Sequence, residues 1–249
     1  FLDGVTKRSA AQGNRAATII RQLFAFAKIR YDLEVNPASD LKNPAKPKRR
    51  KRTLNRQEIR ELWQACEQVG YPYGPALQMA LCTGQRIGEI GSMRWSDIEG
   101  DYWRNSDNKS DQRIDIYVAG HARALLDSCP QTGDFVFSNT GEHGIRSDTW
   151  GGSSGALARY FRPLLEDMEH FTPHDLRRTV RTGLTGWAGV LPDTAERVLN
   201  HSISGLRAHY DFADYKPHVT QALQSWNDEL SRILQGEQAA VTPIKKAMA

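Results

Sequence analysis

Residues 172–179 read TPHDLRRT, and this stretch predicts both the start of a helix and the side chains that share one of its faces. Thr172 belongs to the residue types that cap helix N-termini. Pro173 suits the first helical position, where its missing N–H would have no partner. His174 and Arg177 are three residues apart, so a helix places them on the same face. Taken alone, such a pair is more often a surface pair than a functional site.

Outward from this stretch, the spacing of apolar residues predicts a mainly α-helical chain with a small antiparallel β-sheet, an α+β fold. Asn55 and Glu58 match a capping box and predict a helix that extends to about Val69, while Gly84 predicts the end of another helix. Further helices are expected over residues 10–34, 74–82, 120–128, 153–168, 174–186, 192–199 and 217–235. Strands are expected at residues 102–104, 113–118 and 134–137, with a hairpin turn at 105–111.

A basic segment, residues 42–52, divides the chain. It reads KNPAKPKRRKR, with seven basic residues and no acid, and its prolines favour an extended linker. Such a run is as often a solvated surface as a nucleic-acid contact, but an extended basic linker can lie along DNA phosphates. The net charge of +4 is a weak indication of a polyanionic partner. We expect DNA contacts from the end of this linker, from Lys48, Arg49, Arg50, Lys51 and Arg52.

The composition restricts the class of protein. With 249 residues, of which 39% are hydrophobic and 25% charged, the chain is long enough for one or two globular domains. No stretch approaches the roughly 18 apolar residues of a membrane span, and the first residues lack the pattern of a secretion signal. Cys66, Cys82 and Cys129 form no CxxC pair, which suits a reducing cytoplasm. Because the chain begins with Phe1, we expect a piece of a longer protein.

Three other stretches carry residues that could do chemistry, and each has an ordinary explanation. Residues 83–89, TGQRIGE, place Arg86 just beyond a predicted helix end, where an arginine is usually a surface residue. Lys109 lies in the predicted hairpin turn, where a lysine is usually solvated. The stretch LNHS contains His201, and Tyr210 follows nine residues later, where a tyrosine is usually part of the core.

The order of these stretches is more specific than any one of them. TGxRxGE, a lysine at a hairpin, HxLRRT, and LxHS followed by a tyrosine resemble the tyrosine recombinase (phage integrase) family, most closely the integrases of prophages and genomic islands. The resemblance extends from about residue 15 to 235. It implies a tyrosine recombinase catalytic domain over residues 53–249. Before it come the basic linker, 42–52, and a C-terminal remnant of the helical core-binding domain, residues 1–41. Asn200 departs from the family, which usually has glycine there, although asparagine tolerates a left-handed backbone almost as readily.

The resemblance implies a set of active-site residues: Arg86, Lys109, His174, Arg177, His201 and Tyr210, with Glu89 supporting Arg86. In the family, a tyrosine hydroxyl attacks the DNA phosphate and stores the bond energy as a 3′-phosphotyrosine ester. Arginine suits the transition state because its planar guanidinium binds phosphate bidentately and stays charged. His201 would add a hydrogen bond, His174 would assist loss of the phenol proton, and Lys109 would protonate the leaving 5′-oxygen. No metal or other cofactor is required.

The resemblance also implies partners. Family members act as tetramers on two DNA duplexes and pass through a Holliday junction as they integrate or excise a mobile element. The expected partners are double-stranded attachment sites and further copies of this chain, with residues 217–249 as the candidate contact. An excisionase or a host DNA-bending protein is a candidate accessory partner, and no membrane is expected. The expected location is the bacterial cytoplasm, at the nucleoid when bound to DNA.

Three alternatives remain open on the residues alone. A type IB topoisomerase would use nearly the same residues to relax supercoils, and a non-catalytic DNA-binding module would only grip its site. Metal-dependent hydrolysis is a weaker alternative, because His170 and His174 are four residues apart but no HExxH or CxxC motif accompanies them. Covalent adducts on a nicked substrate would exclude pure binding. Joining of two different sites would favour a recombinase over a topoisomerase.

Overall fold

The chain forms two compact units, Phe1–Lys51 and Arg52–Ala249. The computed structural model describes residues 1–46, 50–105, 114–118, 120–200 and 215–237. The boundary between the units falls near the end of the basic linker, so Arg52 belongs to the second unit.

The first unit is a pair of helices, α1 (Leu2–Arg8) and α2 (Ala10–Tyr31). The helix predicted over residues 10–34 therefore ends three residues early. It ends because Asp32 adopts a left-handed backbone, with φ of 52°. Several large apolar side chains of α2 are more than half exposed: Ile19, Leu23, Phe26, Ile29 and Tyr31.

The chain after α2 returns along that helix. Asn14 exchanges two hydrogen bonds with the backbone of Ala45, at 2.8 and 3.0 Å. Arg21 donates to the carbonyl oxygen of Leu41 at 2.7 Å. These contacts fix the first residues of the basic linker against α2.

The second unit is built around α4 (Tyr73–Thr83), whose residues Ala76 to Thr83 are all buried. Its sequence, YGPALQMALCT, is apolar almost all round, which is the pattern of a helix enclosed by others. The remaining helices of the described chain are α3 (Arg56–Val69), α5 (Ile87–Gly91), α6 (His121–Ser128), α7 (Pro173–Gly186), α8 (Pro192–Val198) and α9 (Lys216–Leu234). Five of them, α3, α5, α6, α7 and α9, contact α4.

Helix α9 packs into the core beside α4 and α7. The indole N–H of Trp226 donates to the carbonyl oxygen of Leu81 at 2.7 Å, so this buried ring is both packed and hydrogen-bonded. A Cβ at Gly183 would overlap the Trp226 ring, so α7 reaches α9 only because position 183 has no side chain. The helices that carry the site therefore rest on one continuous core.

A three-stranded antiparallel sheet lies at one side of the second unit. Its strands are β1 (Ile98–Glu99), β2 (Tyr102–Asn105) and β3 (Ile114–Tyr117), in that order. Trp103 pairs with Ile116, and both are buried against the core. The predicted α+β fold and the first two predicted strands are confirmed.

Two predicted elements are wrong. Residues 134–137 form no strand but make a single bridge between Phe135 and Arg94, because Ser138 at once begins a turn by accepting from the backbone N–H groups of Thr140 and Gly141. The helix predicted over 153–168 is a π-helical turn, Leu157–Phe161, followed by a 3-10 turn, Arg162–Leu164. Pro163 lacks the N–H that a continuing α-helix needs.

Among the described helices, none combines the length and the apolar character that a membrane span requires.

Candidate active site

The end of α4 positions Arg86. Gly84 stops the helix in a left-handed conformation, with φ of 68°, and Arg86, two residues later, is the N-cap residue of α5. A Cβ at Gly84 would lie 2.7 Å from the Leu199 side chain and 2.9 Å from that of Val180. The glycine is therefore required by the backbone and by the close approach of two other elements.

A buried carboxylate holds Arg86. Glu89 accepts from the Arg86 guanidinium at 2.8 Å and from the Arg86 backbone N–H at 3.2 Å. The Glu89 side chain is 7% exposed, whereas that of Arg86 is 32% exposed. The pair thus fixes one edge of the guanidinium and leaves the rest of this cation open to an anionic ligand.

The start of α7 positions His174 and Arg177. Thr172 precedes the helix and Pro173 is its first residue, as predicted. The carboxylate of Asp175 turns back to accept from the Thr172 backbone N–H and hydroxyl, both at 2.9 Å. This local network sets the direction of the first turn, which carries His174.

Arg177 is buried, with 2% exposure. Its guanidinium donates to the carbonyl oxygen of Gly84 at 2.8 Å and also to that of Leu199. The side chain therefore connects the end of α4 to the end of α8, and it lies near Arg86.

Arg86, His174 and Arg177 lie close enough for electrostatic interaction. Burial, and then the neighbouring Arg86, lower the pKa of Arg177 to about 10, so it remains charged at neutral pH. Burial lowers the pKa of His174 as well, and the nearby cations Arg178 and Arg177 lower it further. Burial and the neighbouring cations therefore favour the neutral form of the His174 imidazole.

A cavity of about 710 Å³ lies beside His174. Its described lining is largely apolar, with Trp150, Phe161 and Phe171, and includes neither Arg86 nor Arg177. The two arginines thus lie outside the cavity. The partly exposed guanidinium of Arg86 suits an anion that approaches from solvent better than an enclosed small molecule.

Comparison with known proteins shows which family the chain belongs to. Residues 52–215 match the model of the phage integrase family, which is more than half of the chain.

The chain belongs to the phage integrase family.

Two curated relatives and one solved structure illustrate the likeness. The integrase of Escherichia phage lambda is 31% identical over 126 residues, covering 47% of this chain and 33% of that protein. Prophage integrase IntF of Escherichia coli (strain K12) is 25% identical over 187 residues, covering 71% and 38%. This phage integrase chain therefore spans between 33% and 38% of the length of these relatives. The crystal structure of a lambda integrase tetramer bound to a Holliday junction superposes with a TM-score of 0.64 at 24% identity, over 86% of this chain and 65% of that one. A structural likeness at 24% identity shows the fold alone. It confirms the predicted tyrosine recombinase catalytic-domain fold.

Three of the predicted site residues of this integrase, Lys109, His201 and Tyr210, lie outside the described residues. The structure describes the strands on either side of the segment that contains Lys109 and the residue that precedes His201. Strands β2 and β3 pair as far as Asn105 and Ile114, the residues that bracket the lysine in sequence. Asn200, directly before the histidine, has φ of 49°, a left-handed backbone that asparagine tolerates.

The residues predicted to contact DNA differ in their surroundings. Lys48 and Arg49 fall outside the described residues, while Arg50 and Lys51 are exposed. The Arg52 side chain is 9% exposed and donates to both carboxylate oxygens of Glu58, at 2.9 and 2.5 Å. The Arg52 Nε also lies 3.5 Å from the Oε2 atom of Glu169. Arg52 is therefore occupied within the second unit of this integrase.

One residue of the site is missed by the sequence. Gln85 is 2% exposed, and its amide N–H group donates to the carbonyl oxygens of Thr83 at 3.0 Å and Val198 at 2.8 Å. In the sequence, only the place of Gln85 between Gly84 and Arg86 could have indicated a role in the site. A glutamine beyond a helix end is otherwise expected to face solvent.

Proposed function

We propose that the chain is the catalytic part of a site-specific DNA recombinase, an integrase. It cleaves and rejoins DNA through a covalent 3′-phosphotyrosyl intermediate, and so integrates or excises a mobile element such as a prophage or genomic island. The observation that carries the proposal is the convergence of Arg86, His174 and Arg177 on one place in a chain of the phage integrase family.

The two arginines bind the scissile phosphate in this proposal. Arg86 offers the exposed N–H groups that Glu89 leaves available. Each terminal nitrogen of Arg177 has a second N–H besides the one given to Gly84 or Leu199. Charge gathers on the non-bridging oxygens in the transition state, where these fixed donors have their largest effect.

Proton transfer falls to the other residues. Tyr210 attacks the phosphorus, and the neutral imidazole of His174 is able to accept the phenol proton. Lys109 gives a proton to the leaving 5′-oxygen, and His201 donates a hydrogen bond to the phosphate. Glu89 holds Arg86 in place. The scheme needs no metal, because cationic side chains supply the positive charge.

The partners follow from the same proposal. The chain binds double-stranded attachment sites and assembles as a tetramer on DNA, the state named for the lambda integrase structure. Residues 1–41 are the C-terminal part of a helical core-binding domain, which the exposed apolar side chains of α2 support. An excisionase or a host DNA-bending protein assists, and the reaction takes place in the bacterial cytoplasm, at the nucleoid.

A nicked suicide substrate tests the proposed function. The cleaved strand loses its short 5′-hydroxyl fragment, so a covalent protein–DNA adduct accumulates and is visible on a denaturing gel. The 249-residue chain should form this adduct, and should join two different attachment-site DNAs when religation is allowed. A chain that binds the DNA without an adduct would contradict catalysis. An adduct that religates only to its own strand would favour a topoisomerase.

A further inference from the structure

Two buried side chains bridge the end of α4 and the end of α8. Gln85 donates to the carbonyl oxygens of Thr83 and Val198, and Arg177 donates to those of Gly84 and Leu199. Thr83 and Gly84 are consecutive residues at the end of α4, and Val198 and Leu199 are consecutive residues at the end of α8. Each bridge joins one carbonyl of the first pair to one carbonyl of the second. Gln85 and Val198 are 113 residues apart in sequence.

The bridges meet a need that the end of a helix creates. The last carbonyl groups of a helix have no intrahelical partner, and burial without a donor costs free energy. Val198 is the last residue of α8 and Leu199 follows it, and both are 1% exposed. Gln85 and Arg177 supply the donors, while Gly84 lets the Leu199 side chain pack directly on the end of α4.

The chain leaves α8 in a direction that this junction sets. Asn200, in its left-handed conformation, comes next, and the segment that contains His201 and Tyr210 begins directly after it. Movement of the last α8 carbonyls would displace the Leu199 oxygen to which Arg177 donates.

We propose that Gln85 is a positioning residue for strand cleavage: it holds the C-terminal end of α8, and with it the Leu199 carbonyl that orients Arg177 toward the phosphate. The inference rests on the proposed function. Gln85 acts through its amide N–H group, which reaches both carbonyls. Its carbonyl oxygen is buried without a hydrogen-bond partner in the part of the chain that the structure describes. A side chain kept only to fill space would not need such an amide, since methionine has nearly the same shape.

Single-turnover cleavage of the nicked substrate tests the role of Gln85. Gln85→Met keeps the volume and removes both N–H donors. Cleavage should slow by about tenfold, the effect of one or two lost hydrogen bonds, with DNA affinity unchanged. Gln78→Met is the matched control, because Gln78 is also a buried glutamine, on α4 at the side that faces α6. This control should cleave at the wild-type rate.

A double-mutant cycle separates positioning from general support of the fold. If Gln85 acts through Arg177, Gln85→Met should slow cleavage by less than about twofold when Arg177→Ala is already present. Should Gln85→Met lower Tm substantially, the same cycle is run with Gln85→Leu, which also lacks the donors and introduces no buried charge. An equal loss in both backgrounds, or no loss in either variant, overturns the inference. Absence of any adduct from the wild-type chain would instead overturn the proposed function.

Discussion

Arg86 and Arg177 have different surroundings, although the sequence gives no sign of it. Arg86 is one-third exposed and paired with Glu89, whereas Arg177 is buried and donates to two backbone carbonyls. Under the proposed function, one open and one buried arginine together bind the phosphate. The buried arginine also serves the fold, so its loss has two consequences.

We expect Arg86→Ala and Arg177→Ala to slow adduct formation equally and to differ in stability. Each removes a cationic donor from the transition state, worth about 3 to 4 kcal/mol, or roughly two to three orders of magnitude in rate. Arg177→Ala should also lower the free energy of unfolding by about 1 to 3 kcal/mol, since it leaves buried carbonyls without donors. Suicide-substrate cleavage and thermal unfolding measure the two effects. A loss of less than about tenfold in cleavage for either variant would place that arginine outside the site.

Lys109 can be tested by chemical rescue. A 5′-bridging phosphorothiolate leaves as a thiolate, which needs no proton because the pKa of a thiol lies far below that of an alcohol. Lys109→Ala should therefore cleave normal DNA slowly and the sulfur substrate at nearly the wild-type rate. Equal defects on the two substrates would show that Lys109 is not the general acid.

The site could be predicted from sequence as far as local patterns reach. Thr172 and Pro173 indicate the start of α7, and the spacing of His174 and Arg177 places both residues on one face of that helix. Gln85 could not be found in this way, because its function depends on a contact with Val198 and on burial. Neither is encoded by residue type or local spacing.

At the scale of single elements, the start of α3 shows how one side chain can serve two neighbours. Asn55 and Glu58 form the predicted capping box, with hydrogen bonds of 2.9 and 2.8 Å. The same Glu58 carboxylate accepts hydrogen bonds from both terminal nitrogens of the Arg52 guanidinium. This interaction lowers the pKa of Glu58. Arg52, the last residue of the basic linker, is thus held by the Glu58 carboxylate.

The Arg52–Glu58 pair should make stability depend on pH below neutrality. A carboxyl group whose pKa is lowered by folding contributes stability above its ordinary pKa of 4.5 and loses it as the pH falls through the lower folded value. The difference in Tm between wild type and Glu58→Gln should be largest near pH 7 and should shrink below about pH 4. Glu67→Gln, on the exposed side of α3, is the matched control and should follow wild type. A difference for Glu58→Gln that is constant from pH 7 to pH 3 would contradict this expectation.

Regular elements were predictable where periodicity and end signals agree, as for α3, α4 and α7. The predictions failed where a short stretch depends on its neighbours. Residues 134–137 have the composition of a strand, but the turn at Ser138 leaves them one bridge. Around Pro163, residues of helical spacing form π and 3-10 turns because the α-helical hydrogen-bond pattern cannot continue.

At the scale of the whole molecule, the basic linker lies at the boundary between the two units. Its formal charge is concentrated in residues 48–52, but Arg52 is already paired with Glu58 and Glu169. Phosphate contacts are therefore expected from the residues before Arg52.

Replacing Lys48, Arg49, Arg50 and Lys51 with alanine should weaken binding to unrelated DNA sequences and flatten its salt dependence. Each lost phosphate contact reduces the slope of log affinity against log salt by about 0.9. Arg52→Ala is the matched control, and it should keep the slope of wild type while lowering Tm. An unchanged slope in the fourfold variant would show that the linker does not contact phosphates. A flatter slope in Arg52→Ala would show that its ion pairs open on DNA.

The surroundings of Tyr215 bear on the identity of the nucleophile. Tyr215 is close in sequence to Tyr210 and is the alternative for the attacking hydroxyl. Its ring is partly buried beneath the guanidinium of Arg197, at 3.2 Å from the ring centroid, directly before α9. A ring packed in this way at the start of a helix suits an anchor better than a group that must reach a phosphate.

Mapping the covalent adduct is the most direct test of the central claim. The trapped adduct is digested, and the peptide that carries the nucleotide is sequenced by mass spectrometry. The nucleotide should be on Tyr210. Tyr210→Phe should bind DNA with wild-type affinity and form no adduct, while the matched variant Tyr215→Phe should still form one. An adduct formed by Tyr210→Phe, or a nucleotide mapped to Tyr215, would contradict the assignment of Tyr210 as the nucleophile.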